Sequence, residues 1–219
     1  MKNPFFDLSE DSVRGTAFVA AANAARTGEL TVFPTDTVYG LGTDAFSIAG
    51  ANRIRDAKGR GRDVPLPVLI AEPSLLSTLG LEVSDSARRL CEKFWPGGLT
   101  VIVRAAPSLG WDLGRTNGTV ALRMPNHEFV LELLRNVGPM AVSSANTHGR
   151  PPATSAQEAY QMLGETVSVY VEGGPSPLGA PSTIVDVTGP IPAVVRVGVI
   201  SIESIRSEVA ETALRRASG

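Results

Sequence analysis

The sequence predicts an α/β fold, a mixed parallel/antiparallel sheet flanked by helices, and three observations carry that prediction. Short β-type runs alternate along the chain with capped, apolar-periodic helical stretches. Several successive runs are joined by connections too short for a crossover helix, notably around Pro190-Ile191-Pro192, so some neighbours pair antiparallel. A chain of 219 residues, 43% hydrophobic and 19% charged, is long enough to bury one core, so a single domain over 1–219 is expected.

Ser12 to Arg26 is alanine-rich, carries Val13, Phe18, Val19 and Ala22, and stops at Gly28, a good helix terminator. Leu30-Thr31-Val32-Phe33, closed by Pro34, reads as a strand, and Pro67–Ile70, Leu99–Val103 and Thr119–Leu122 resemble it. Ser84, Asn126 and Ser155 stand as caps before helices at 85–94, 127–136 and from 156, the last with the capping box Ser155-Ala156-Gln157-Glu158. Further strands are expected at 140–143, 167–171, 183–187 and 194–197, so the core runs from about 12 to 200 and a C-terminal helix occupies 201–219. Gly173 to Gly179 is rich in proline and glycine, but the stretch after it is too short for an independent domain, so it reads as a loop.

The longest apolar runs, such as Leu99–Val103, fall far short of the about 20 residues that cross a bilayer. The N-terminus shows no secretory pattern, so a cytoplasmic location and no membrane partner are expected. Cys91, the single cysteine, excludes an internal disulfide or a thiolate cluster, and His127 and His148 lack companions at metal spacing, so no metal site built by the protein is expected. A formal charge of −2 argues against a surface devoted wholly to nucleic acid. The basic residues are nevertheless uneven, with Arg53, Arg55, Lys58, Arg60 and Arg62 crowded into one short window.

Four segments carry candidate chemistry. Pro34-Thr35-Asp36-Thr37-Val38-Tyr39-Gly40-Leu41-Gly42 follows a strand and gathers hydroxyls, a carboxylate and a phenol among glycines, although an ordinary strand-to-helix turn has the same look. Lys58-Gly59-Arg60-Gly61-Arg62 puts a point cation and guanidinium forks on a glycine-loosened loop suited to phosphate and carboxylate oxygens. It lacks P-loop spacing, and a charged run is ordinarily a solvated loop. Ser143-Ser144-Ala145-Asn146 ends a strand, where α/β folds commonly bind ligands, or Asn146 caps the turn toward Gly149. Thr119 and Arg123 share one face of a strand, and an inward Arg123 needs an anionic partner, while Arg196 is a second lone cation within an apolar strand.

Together, Pro34–Gly42, Lys58-Gly59-Arg60 with Pro65-Leu66, Ser144-Ala145-Asn146 and Ser182-Thr183-Ile184-Val185-Asp186 resemble the YrdC/Sua5 family of threonylcarbamoyl-AMP synthases, from about Leu30 to Gly198. The resemblance implies a twisted mixed sheet with a basic concave cavity, in the short single-domain form. It implies a nucleotidyltransferase that joins ATP, L-threonine and bicarbonate into threonylcarbamoyl-AMP and pyrophosphate, with Mg2+ carried by ATP. The product would serve the threonylcarbamoyl-transfer complex that modifies adenosine 37 of tRNA; a double-stranded RNA or tRNA-binding module, or a paralogue using another carbamoyl substrate, is the alternative.

By motif position, Thr37, Val142 and Ser182 would contact threonine and Arg123 its carboxylate. Arg60, Thr119, Ser144, Asn146 and Arg196 would hold ATP, and Lys58, Arg60 and Asn146 would form the catalytic group. The chain departs from many members at Val64 and Leu69, where Asn and His are frequent, and Val142 and Pro152 occupy positions that hold hydroxyls in some.

Overall fold

The alternating apolar runs become the strands of one sheet in a computed structural model that describes residues 3–209 and the backbone of 215–216. In chain order the elements begin β1 (Phe5–Asp7), α1 (Asp11–Arg26), β2 (Thr31–Phe33), β3 (Gly40–Asp44), α2 (Ile48–Lys58), β4 (Val68–Leu69), α3 (Leu75–Leu79), β5 (Gly80–Leu81) and α4 (Asp85–Phe94). They continue β6 (Leu99–Ala105), β7 (Thr119–Arg123), α5 (Glu128–Val137), β8 (Met140–Ser144), α6 (Ala156–Leu163), β9 (Val169–Glu172), β10 (Thr183–Asp186), β11 (Ala193–Arg196), α7 (Ile202–Glu208) and β12 (Arg215–Arg216). The sheet order is β1-β9-β2-β3-β8-β4-β7-β6-β10-β11-β12, with β5 paired to β6. β2–β3, β3–β8, β4–β8, β6–β7 and β10–β11 are antiparallel, whereas β2–β9, β4–β7 and β6–β10 are parallel, so the sheet is mixed as the short connections require.

Alternation along each strand builds two cores, one on each face of the sheet. Val32, Leu41, Val68, Val101, Leu122 and Ala141 point into a core completed by Ile54 of α2 and Leu90 of α4. Their neighbours Phe33, Leu69, Met140 and Val142 point the other way, onto Ala21 and Ala25 of α1 and Phe129 and Leu133 of α5. Small alanines let α1 lie close to the sheet, and its five buried residues are all alanine. Leu69 and Val142 belong both to this second core and to the wall of a cavity that opens on the same face.

Four expectations need correction. Gly40–Asp44 is a strand rather than part of a turn into a helix: Cβ atoms at Gly40 and Gly42 would meet the Phe33 ring at 2.8 and 2.9 Å, so the strand is glycine-rich because the ring of β2 lies flat against it. Residues 48–58 form helix α2, whose Ser47 cap accepts from Gly50 N, so Lys58 ends a helix instead of riding on a loop. The cap of α5 is His127, without a side-chain cap bond, and the backbone N of Asn126 just before it donates to Asp36. The last helix stops at Glu208, where Val209 turns extended and buries its side chain, and Arg215–Arg216 pair with β11 as a strand. The remainder of the expected helix lies outside the described residues.

Candidate active site

The cavity, about 210 Å3, runs across the sheet face from Thr37 and Gly40, past Val142 and Ser144, to Ser182 and Arg196. Its first half is organised by the end of α2. Lys58 is buried, and its Nζ donates to Ser144 O at 2.6 Å and to Asn146 Oδ1 at 2.7 Å, with Ser144 Oγ at 3.3 Å. His148 N donates in turn to Lys58 O at 3.0 Å, which fastens the helix end to the loop after β8. Burial, with help from the neighbouring Arg60 guanidinium, pushes the Lys58 ammonium down to about 7. Arg60 reaches over the same strand end, where Nη2 donates to Ser143 Oγ at 2.9 Å.

Asn146 shapes the turn, one of the two roles that its position suggested, and also holds Lys58. Its Oδ1 accepts from Lys58 and from Ser144 Oγ (2.5 Å), while its Nδ2 donates to Thr147 O (2.9 Å) and Arg150 O (2.6 Å) and shapes the turn.

The basic window divides by partner. Arg53 pairs with Glu29 at 3.3 Å, Arg55 donates to Asp112 O at 3.0 Å, and Arg62 forms a two-pronged contact with the Asp112 carboxylate at 2.8 and 2.6 Å. Those three are structural. Lys58 and Arg60 have no acidic partner within 4.0 Å among the described residues, and neither does Arg196.

The second half is built on β6, β7, β10 and β11. Arg123, buried at the end of β7, donates through Nε to Gly97 O (3.0 Å), through Nη1 to Thr37 Oγ1 (2.8 Å) and through Nη2 to Asp36 Oδ1 (2.5 Å). Thr37 Oγ1 also lies 3.1 Å from Thr35 Oγ1. Across the cavity Ser182 Oγ and Thr100 Oγ1 are 2.8 Å apart, and Arg196 donates to Ser182 O at 3.1 and 2.9 Å and to its Oγ at 3.1 Å. Gly198 lets this corner close, since a Cβ there would stand 2.1 Å from Pro181 O.

Thr37, Arg60, Arg123, Val142, Ser144, Ser182 and Arg196 therefore line one cavity, and Lys58 and Asn146 stand directly behind Ser144. Thr119 is the exception. It shares the face of Arg123 but sits four residues, roughly 13 Å, along the strand, and its hydroxyl donates to Thr116 O at 2.7 Å to close a turn outside the lining. Of the two departures, Leu69 is buried in the cavity wall and Val64 is exposed outside it; Pro152 also lines the cavity. Sequence reasoning left out Asp36, Thr35 and Thr100, and overestimated the ligand's share of Arg123, whose anionic partner is already in the chain. The demand for such a partner pointed to Asp36, the one carboxylate in the Pro34–Gly42 motif.

Among the described residues, no group of three or more His, Cys, Asp or Glu could hold a metal ion, and no helix is long and apolar enough to cross a membrane. The site offers hydroxyls, fixed cations and an apolar wall, groups of the chemical kind that hold and orient anions.

Comparison with known proteins shows the family. The Sua5/YciO/YrdC family model, described as telomere recombination, matches residues 23–198. A Mycobacterium tuberculosis (strain H37Rv) protein is 50% identical over 200 residues, which cover 91% of this chain and 92% of that protein. A threonylcarbamoyl-AMP synthase of Bacillus subtilis (strain 168) is 37% identical over 211 residues, covering 95% of this chain and 61% of its own. The crystal structure of P. abyssi Sua5 complexed with L-threonine superposes with a TM-score of 0.88 at 33% identity, covering 97% of this chain and 62% of that one.

Proposed function

Because the chain belongs to the Sua5/YciO/YrdC family, we propose that it is a threonylcarbamoyl-AMP synthase, a nucleotidyltransferase acting on ATP, L-threonine and bicarbonate. One observation carries the reading. Lys58, Arg60 and Arg196, three cations without acidic partners among the described residues, surround a cavity that the Asp36-bound guanidinium of Arg123 also enters.

The proposed chemistry needs that arrangement. The threonine amine adds to carbon dioxide with loss of a proton, or to bicarbonate with loss of water, to form a carbamate, and a carbamate oxygen then attacks the α-phosphorus of ATP. The P–O bond to the β-phosphate breaks and its electrons leave with pyrophosphate. Two unit anions about 4 Å apart repel by roughly 4 kcal/mol at an effective dielectric near 20, so carbamate and triphosphate meet only where cations offset them.

Arg123, held by Asp36, receives the threonine carboxylate, and Thr37 and Ser182 offer hydroxyls to the rest of the amino acid, with Val142 packing beside it. Arg60, Ser144 and Arg196 face the nucleotide. Lys58, coupled to Ser144 and Asn146, stabilises the charge that gathers at the reacting centre, and positioning with charge stabilisation carries the transfer without a dedicated base. Thr119 fits the nucleotide role only if ATP extends along β7 beyond the cavity. Mg2+ would arrive held by the triphosphate oxygens, since the cavity offers hydroxyls and cations rather than carboxylates. Transfer of the threonylcarbamoyl group to adenosine 37 of tRNA, by partner proteins in the cytoplasm, completes the proposal.

The test mixes purified protein with ATP, Mg2+, bicarbonate and single amino acids and measures pyrophosphate. Release that requires both threonine and bicarbonate is expected. Release with neither requirement, or none at all, refutes the reading.

A further inference from the structure

We infer that Asp36 is the positioning residue for the amino-acid carboxylate, acting through Arg123, an inference that rests on the synthase reading. Asp36 does not line the cavity and is only 6% exposed. It is nevertheless tied to three separate segments of the chain. Its Oδ1 accepts from Arg123 Nη2 at 2.5 Å and from Asn126 N at 3.0 Å, and its backbone O accepts from Leu178 N at 3.1 Å. The residue is thus fixed between the end of β7, the approach to α5 and the proline-glycine loop after β9, its carboxylate by the first two and its backbone by the third.

That fixation determines what Arg123 can do. A guanidinium carries five N–H donors in a rigid fork. Gly97 O, Thr37 Oγ1 and Asp36 Oδ1 take one each, which leaves one hydrogen on Nη1 and one on Nη2 for a ligand. Two donors on adjacent nitrogens match the two oxygens of a carboxylate. Asp36 also offsets the charge of Arg123 before any ligand arrives, whereas Lys58, Arg60 and Arg196 are without acidic partners among the described residues. The two anions are thereby sorted: the triphosphate is drawn to the uncompensated cations, and the amino acid is recognised by the geometry of a neutralised fork.

The side-chain part of this anchoring passes through one oxygen, because Asp36 Oδ2 is buried without a hydrogen-bond partner among the described residues. An amide oxygen in the same place keeps both accepted bonds. Asp36→Ala and Asp36→Asn should therefore separate. In steady-state pyrophosphate release, Asp36→Ala is expected to raise the KM for L-threonine at least about tenfold, the size of one hydrogen bond to a charged group, while the KM for ATP stays within about twofold. Asp36→Asn should hold the threonine KM within about threefold of wild type, yet melt at a lower temperature, because Arg123 is left buried without its counter-ion. Asp36→Glu, which keeps the charge but displaces the oxygen by one methylene, should behave like Asp36→Ala and carries the test if the alanine variant does not fold. A purely structural role for Asp36 would lower the melting temperature of all three and leave the KM values together.

Threonine KM values unchanged in Asp36→Ala and Asp36→Glu, or raised equally for ATP, overturn the inference while the synthase reading stands. A wild-type protein with no threonine-dependent release overturns both.

Discussion

Replacing Lys58 with methionine tests the electrostatic account of the site most directly. Lys58 is buried, and burial with help from Arg60 brings its ammonium from 10.5 down to about 7. A folded-state value below the unfolded one means that the unfolded chain binds more protons between those limits, so the Lys58 contribution makes stability rise with pH from about 7 to 10.5. At and below pH 7 the full cost is present, on the order of 5 kcal/mol at about 1.4 kcal/mol per pH unit. The acceptors around Nζ favour the charged form, so that figure is an upper limit.

Methionine keeps the length of the side chain and removes both the cost and the hydrogen bonds, the latter worth about 1.5–3 kcal/mol each when the donor is charged. At pH 6.5 the two effects nearly cancel, and Lys58→Met should fall within about 2 kcal/mol of wild type. By pH 9.5 most of the cost has gone from the wild type, so the variant should lose up to about 3 kcal/mol relative to it over that interval. Urea unfolding of both proteins at the two pH values reads the difference, and groups common to both cancel in it. Pyrophosphate release should fall at least about a hundredfold at either pH. An offset between the two proteins that is the same at pH 6.5 and 9.5 refutes the desolvated-cation account, and a variant that retains activity refutes the role of Lys58.

Three other predictions follow from the same contacts. ATP binding at pH 8 should take up protons, because a triphosphate beside Lys58 raises its value from about 7; calorimetry in buffers of different ionisation enthalpy counts them, and zero uptake contradicts the placement of the nucleotide. Tyr39→Phe should cost about 1–3 kcal/mol in urea unfolding, since the Tyr39 hydroxyl donates to Gly174 O at 2.7 Å, contacts the Glu172 carboxylate and accepts from Gly173 N at 3.0 Å. Gly198→Ala should destabilise by more than about 2 kcal/mol and weaken ATP binding, because the new Cβ would stand 2.1 Å from Pro181 O and push apart the Ser182–Arg196 contact; unchanged nucleotide affinity would separate that contact from the site.

Much of the fold was legible because it rests on local rules. The strands at Leu99 and Thr183 announce themselves by β-branched runs, and Ser84 and Ser155 cap their helices as their sequences suggest, accepting from Ala87 N and Glu158 N. Gly40–Asp44 was hidden because its glycines answer to the Phe33 ring of another strand, which local propensity does not see. Helix α2 was hidden by its charge: Asn52, Arg53 and Asp56 give Ile48–Lys58 a polar look, although Ser47 and Gly59 bracket it as a helix. In the site, Lys58, Arg60, Ser144 and Asn146 were legible as a set of chemical types at fixed spacing. The pairing of Asp36 with Arg123 joins residues 87 apart, and the chain of pairings from β3 through β8 and β4 to β7 brings them together.

Placing Lys58 at the end of a helix rather than on a loop alters how the cation works. The C-terminal end of α2 presents backbone carbonyls whose dipoles favour a positive charge nearby, and Lys58 O is itself tied to His148 N. A lysine on a mobile loop would lose rotamer freedom each time it engaged a ligand, whereas this one is already fixed by Ser144 and Asn146. The cost of that preorganisation is desolvation without a counter-ion among the described residues, which the phosphate of the proposed nucleotide would offset. Binding and stability are therefore linked through one side chain: the substitution that removes the desolvation cost also removes the cation that the proposed anion would meet.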